Sequence, residues 1–450
     1  MIDFKKLADN YKKDALNSLL EFLSINSVYD ENSKGEENPY GEGVSCALNY
    51  LKNLAIKYGL KAEVYNNRVC EICFGETGND IGIFAHSDVV PASGNWTTPP
   101  FEPSIRDNRI YARGTSDDKG PLMAALFSLI LLKENNLVNN YKVRFVAGGD
   151  EERGSSCLEY YFHKLNKPNV DYGFTPDADF PLIYGEKGVV NYTLRGRIEL
   201  DYLKSLKAGV AANCVIDLAK VEVNYKFDEF VKYLKENKIN FTLDGETINF
   251  LGKSAHGSTP ELGVNSGLIA LKCLGEFYND KILLLLAKQY SDVNGKELKQ
   301  YYKTDKLGET TYNVGIINYL DNIFEMTVNF RFPDNVNCEH VINEIQKISP
   351  FAIYNERESN YLYYDPNSPM IKTLVDVYQK ETGDYKSKPF TIGGGTYAKE
   401  AKNTVAFGSH FPGKEDHIHE VDEKIDLEDF YNSISIYAHA IYALGNLKNK

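Results

Sequence analysis

Between Lys61 and Gly185 the sequence alternates short β-type runs with apolar-faced helical stretches, and this alternation narrows the choice of fold more than any other feature. KAEVYNNRVCEICFG, DIGIFAHSDVV and YKVRFVAGGD read as strands, and LMAALFSLILLKENN and SSCLEYYFHKL as helices. Such a chain builds an α/β sheet with parallel members and helices on its faces. Ligands of these sheets gather in the crevice beyond the strand C-termini. One strand end carries GGDEERG, where Asp150, Glu151 and Glu152 follow two glycines with no compensating run of Lys. Three adjacent carboxylates repel one another. The stretch is therefore either a solvated loop or a place that handles a cation and a proton.

The texture changes near Glu186. Up to about Tyr364 come the strand-like VVNYTLRGRI, KINFTLDGETINFLGK and NIFEMTVNFRFP, a helix at FDEFVKYLKENK and a longer helical stretch from Ser266. Then follow a helix at SPMIKTLVDVYQKETG, a glycine run, a His-rich loop and a final helix, DLEDFYNSISIYAHAIYAL, whose aromatic spacing assigns it to a core. A chain of 450 residues exceeds one hydrophobic core. Two or three domains are therefore expected, the first an α/β unit with a mixed, largely parallel sheet flanked by helices.

The net charge of −13 argues against nucleic acid or an anionic membrane surface as partner. MIDFKKLADNYKKDALNSLLEFLSI reads as one amphipathic helix, neither a signal peptide nor a membrane span. Seven scattered cysteines fit a reducing cytoplasm, the expected location. Cys70 and Cys73 form a CxxC, but within an alternating strand pattern and with no second CxxC, so they read as core packing.

Besides GGDEERG, four loops carry candidate chemistry. FAHSDVVP places His86 and Asp88 two apart at a strand end, ARGTSDDKGP holds Asp117 and Asp118, GFTPDADFP holds Asp177 and Asp179, and FPGKEDHIHEVDE holds His417 and His419. Each alone reads as turn, cap or surface chemistry. Jointly, the chain order H, D, E, D, H is what a two-metal hydrolytic site requires. Each divalent ion takes nitrogen and oxygen ligands, and one carboxylate bridges the pair. A further carboxylate stays unliganded to accept a proton from water.

With these motifs the chain resembles the M20 family of metallopeptidases, and within it the PepV-type dipeptidases. FAHSDVVP, YARGTSDDKGP, GGDEERGS, TPDADFPLIYGEKG, GKSAHGSTPELG, FRFP, TIGGGTYAK and FPGKEDHIHE occur in that family's order and spacing. The resemblance implies that His86 and Asp177 bind one metal, that Glu152 and His419 bind the other, and that Asp117 bridges them through a cis Asp117–Asp118 bond. It implies that Asp88 supports His86 and that Glu151 is the general base. Residues 186–365 resemble the family's inserted α+β lid domain, which leaves residues 1–185 and 366–450 as the catalytic domain. In the lid the resemblance implies that His256 donates to the oxyanion, that Arg331 grips the substrate carboxylate and that Asn213 contacts substrate. Gly393, Gly394 and Gly395 would let backbone approach the peptide; GGGTYAK lacks the GK[ST] of a phosphate loop. The implied cofactors are two divalent ions, zinc expected and manganese or cobalt the alternatives. The implied substrate is a small peptide, mainly a dipeptide, with deacylation or carboxypeptidase action on N-acyl amino acids as the alternative. Outside enzymes, the alternative is an amino-acid or metal-binding protein. The long lid implies a monomer. Asp179, His417, His163, His340, His410 and His439 have no assigned role, and Asp150 is expected either to serve the backbone or to support the ligands from behind.

Overall fold

The strand runs of the first 185 residues form a mixed sheet in a computed structural model that describes residues 2–355, 358–415 and 417–448. The chain divides into two units, Met1–Tyr184 with Tyr364–Phe390 and Thr396–Lys450, and Gly185–Tyr363 with Thr391–Gly395.

In the first unit the strand order is Lys61–Tyr65, Val69–Phe74, Tyr141–Gly148, Asn79–His86, Tyr172–Thr175 and Thr404–Ala406. KAEVYNNRVCEICFG is an antiparallel hairpin, with Tyr65 opposite Val69. Its turn residues Asn66 and Asn67 adopt φ of 48° and 49°, a region Asn tolerates better than branched residues do. The last four strands in this order run parallel. Their register pairs His86 with Gly148, so the HxD turn and the GGDEERG turn leave one edge of the sheet together. Asp177 follows Thr175 at the same edge. The helix Lys119–Glu134 is buried along nearly its whole length, because it packs on the sheet beside the closing helix Leu427–Gly445 and against Lys12–Leu23. Cys70 and Cys73 are both free in their strand, and burial pushes both thiols up, Cys73 to about 12. Cys70 belongs to the core, Cys73 is half-buried, and the two form no disulfide.

The second unit has its own core and an eight-stranded antiparallel sheet. Gly188–Arg197, Thr311–Leu320 and Ile323–Phe332 run through the sheet, and Gly188–Arg197 alternates buried and half-buried positions as a one-sided strand must. Thr391–Gly395 also belongs to this unit, whereas the sequence placed the glycine run in the first. Lys187 N donates to the Ile392 carbonyl, and Arg331 Nη1 to the Gly393 carbonyl at 2.6 Å.

Helix continuity departs from the periodic reading in three places. The N-terminal stretch forms two helices, Phe4–Asp9 and Lys12–Leu23. SSCLEYYFHKL gives one α-turn, Ser156–Glu159, followed by a π-type turn, Tyr160–Lys164. The stretch from Ser266 splits into Ser266–Tyr278 and Lys281–Gln289. Here the cause is local. Asn279 turns left-handed at φ 58°, and Asp280 caps the second helix by accepting from the Ile282 and Leu283 amides. Asp280 also accepts from Tyr202 Oη at 3.0 Å. Replacing Asp280 by alanine is expected to lower the stability of the second unit by about 1 kcal/mol, read as an earlier urea midpoint; an unshifted midpoint contradicts the capping role. Among the described residues, no helix is long and apolar enough to cross a membrane.

Candidate metal centre

Three turns at the sheet's edge, the turn that precedes the helix Lys119–Glu134 and one C-terminal loop converge in the first unit. His86 Nε2 lies 2.9 Å from Asp117 Oδ1 and 3.5 Å from Asp177 Oδ2. His419 Nε2 lies 2.9 Å from the other oxygen, Asp117 Oδ2, and 3.2 Å from Glu152 Oε1. Two ligating triads thus form, His86–Asp117–Asp177 and Asp117–Glu152–His419, each with its donor atoms within 4.8 Å of one another. Asp117 belongs to both and offers a different oxygen to each. Donors about 2.0–2.1 Å from a tetrahedral ion stand about 3.3 Å apart, so these separations fit donors arranged around single ions.

The supporting contacts explain why the turns hold this shape. His86 Nδ1 faces the Asp88 backbone carbonyl at 3.0 Å, and the Asp88 carboxylate lies farther off, at 3.4 Å. The Asp88 carboxylate instead accepts the amides of Glu151 and Glu152, one on each oxygen, both at 3.1 Å. Asp88 therefore fixes the two glutamates as much as it orients the histidine. Asp118, joined to Asp117 by a cis peptide bond, accepts the His86 amide at 2.9 Å. Asp150 accepts from Ser156 Oγ at 2.5 Å, and its carbonyl accepts the Ser155 amide, so it closes the turn after the glutamates.

The site is short of positive charge. Burial, partly opposed by His86, and then Glu152, Asp177 and Asp117 hold the Glu151 carboxyl well above the ordinary range. Burial and then Asp117 raise Glu152 to about 7. Burial disfavours the His419 imidazolium, but the hydrogen bonds it donates to Asp117 and Glu152 outweigh that and lift His419 to about 11. Asp117 falls well below its usual value despite burial, because both imidazoles bond to it. Among the described residues, no Lys or Arg pairs with Asp117, Asp177, Glu151 or Glu152. Divalent cations would supply the missing charge, and the donor set of nitrogen and oxygen without sulfur suits zinc, manganese or cobalt.

Three residues here escaped the sequence reading. Glu423 is buried and bonded to the Asp117 turn. Tyr397 stands edge-on to the His86 ring, with its hydroxyl 2.9 Å from Cys157 Sγ. Lys119 is buried, donates to the Phe22 and Ile25 carbonyls, and is pushed down to about 7 by burial. None carries a spacing signal; all three lie in quoted motifs, Glu423 as the last residue of FPGKEDHIHEVDE, and there as bystanders. Of the remaining candidates, His417 Nε2 faces Lys424 Nζ at 3.3 Å and Asp179 faces His410 at 3.5 Å. Neither joins the triads.

The other candidates lie in the second unit. The loops of Asn213 and His256 are bridged, since Cys214 pairs with His256 and the Gly257 amide donates to the Asn213 carbonyl at 2.6 Å. His256 Nδ1 is 2.6 Å from Ser258 Oγ. Arg331 is buried; its Nε donates to Asn329 Oδ1 at 2.7 Å, and burial lowers it to about 10, so it stays charged at neutral pH. A Cβ at Gly393 would sit 3.0 Å from that of Ser258, so the glycine run comes up against the His256 loop; a Cβ at Gly394 would crowd Ile392, and Gly395 is exposed.

The family described as Peptidase family M20/M25/M40 matches residues 82–443, which contain every residue of both triads. The chain belongs to this peptidase family. A protein of Bacillus subtilis (strain 168) named "Putative dipeptidase YtjP" is 34% identical over 454 residues, covering 96% of this chain and 97% of its own. Among solved structures, an M20 family metallo-carboxypeptidase, Sso-CP2 from Sulfolobus solfataricus, shares the fold. Its TM-score is 0.61 at 22% identity, over 96% of this chain and 99% of that one. Human carnosine dipeptidase 1 aligns with a TM-score of 0.61 at 13% identity, over 99% and 98% of the two chains. As a member, the protein is a hydrolase of the peptidase class.

Proposed function

We propose that the protein is a metal-dependent dipeptidase in which Asp117 bridges two divalent ions and Glu151 is the general base. The observation that carries this reading is the division of Asp117, one oxygen toward His86 and Asp177 and the other toward His419 and Glu152. These residues would hold divalent ions, whose chemistry there would be to polarise a carbonyl and to acidify water. Glu151 is the carboxylate left out of both triads, and its amide is pinned by Asp88 beside that of Glu152. It takes the proton of the attacking water and returns it to the leaving nitrogen. His86 is kept in one tautomer by the Asp88 carbonyl, which leaves Nε2 free to ligate. In the second unit, Arg331 takes the substrate's C-terminal carboxylate with a planar pair of donors, and His256 donates to the oxyanion, with Asn213 and the backbone of Gly393–Gly395 along the peptide.

The match to a relative named as a dipeptidase supports this substrate class. The second reading, a carboxypeptidase or deacylase, has the fold likeness to a metallo-carboxypeptidase in its favour. A panel of free dipeptides, tripeptides and N-acetyl amino acids separates the two. Free dipeptides are expected to give the highest kcat/KM, and a preference for N-acetyl amino acids contradicts the dipeptidase reading.

A further inference from the structure

Glu423 lies four residues beyond His419, in a loop whose sequence draws attention only to its histidines. Its side chain has no exposed surface, and both its oxygens are engaged. Oε2 accepts from Arg113 Nη1 at 2.7 Å and from the Gly114 amide at 2.9 Å. Oε1 accepts from the Ser116 amide at 2.8 Å and the Asp117 amide at 3.1 Å. The Glu423 carbonyl accepts the Ala112 amide, and the following strand, Lys424–Asp426, pairs antiparallel with Arg109–Tyr111.

A buried carboxylate is tolerated only where donors replace its lost hydration. Here four N–H groups do so, and three belong to the backbone of the turn that ends in Asp117. The geometry points to Glu423 as a positioning residue for the metal centre. It ties the turn Arg113–Asp117 to the segment that carries His419, and so sets the Asp117 carboxylate where both triads share it. One of its bonds is to the Asp117 amide itself, so a shift of the clamp moves the shared ligand directly. The adjacent Asp422 does something different: it accepts from the amide and hydroxyl of Thr97 at 2.9 and 2.7 Å, away from the turn. The inference rests on the di-metal reading proposed above.

The test measures zinc affinity and stoichiometry of the full chain by competition with a chromophoric chelator, together with Tm of the metal-free protein. Glu423→Gln puts an amide donor among donors, and zinc binding is expected to weaken about 10- to 100-fold, the usual range for an outer partner of a metal ligand. Glu423→Asp, which keeps the charge on a shorter arm, is expected to fall between. Asp422→Asn is expected to lower Tm while leaving zinc affinity unchanged. A Glu423→Gln protein with lowered Tm but wild-type zinc affinity overturns the positioning role. If that variant does not fold, hydrogen exchange on the metal-free wild type decides. Slow exchange at Gly114, Ser116 and Asp117 supports a clamp formed before metal binds, and rapid exchange at all three overturns it. Wild type that binds no zinc, manganese or cobalt sinks the di-metal reading, and this inference with it. Wild type that binds zinc alongside an unaffected Glu423→Gln sinks the clamp alone.

Discussion

Glu151→Ala is expected to lower kcat on a dipeptide by about 10²- to 10⁴-fold, the range a positioned general base contributes, with metal content and fold unchanged. The separation of effects follows from the contacts. Glu151 is in neither triad, so its side chain can go without loss of a ligand. The turn is held by backbone amides bonded to Asp88 and by Asp150, neither of which needs the Glu151 side chain. Glu151→Gln, which keeps the volume, should behave alike. A Glu151→Ala enzyme that keeps its metals and more than about a tenth of wild-type kcat would remove Glu151 from the role of base.

Asp117→Ala is expected to do more, because one side chain serves both triads. Loss of both its oxygens leaves His86 with Asp177 and His419 with Glu152, two donors each. Affinity at both positions should drop by more than the roughly 100-fold that an outer partner costs, and activity should vanish with it. Asp177→Ala sets the comparison, since only one triad contains it; that variant should lose one metal equivalent and retain the other. Elemental analysis of the purified variants reads both outcomes. Two retained equivalents in Asp117→Ala would show that the carboxylate is not shared.

The sequence made some of this site legible and hid the rest for physical reasons. The run VRFVAGG had a strand's composition and ended in acids, so the location of Glu151 and Glu152 at a sheet edge followed from local pattern alone. The meeting of His86 with that edge depends on parallel register, His86 beside Gly148, which no single strand reveals. His419 lies 267 positions from Glu152, and only the family resemblance joined them beforehand. Asp88 was read as a partner of His86, but its carboxylate chiefly serves the Glu151 and Glu152 amides, a backbone contact that leaves no trace in spacing. Glu423 looked like one more acid in HEVDEK; its burial is a tertiary fact. The opposite case is Asn279–Asp280. The stop and cap were written locally, yet the apolar period on either side masked them.

The most direct test of the central claim is to strip the protein with a chelator and restore zinc, manganese or cobalt in measured equivalents while following hydrolysis of a free dipeptide. The shared Asp117 predicts no activity in the stripped protein and a rise that saturates at two equivalents per chain. Full activity after complete removal of metal, or saturation at a single equivalent, would contradict it.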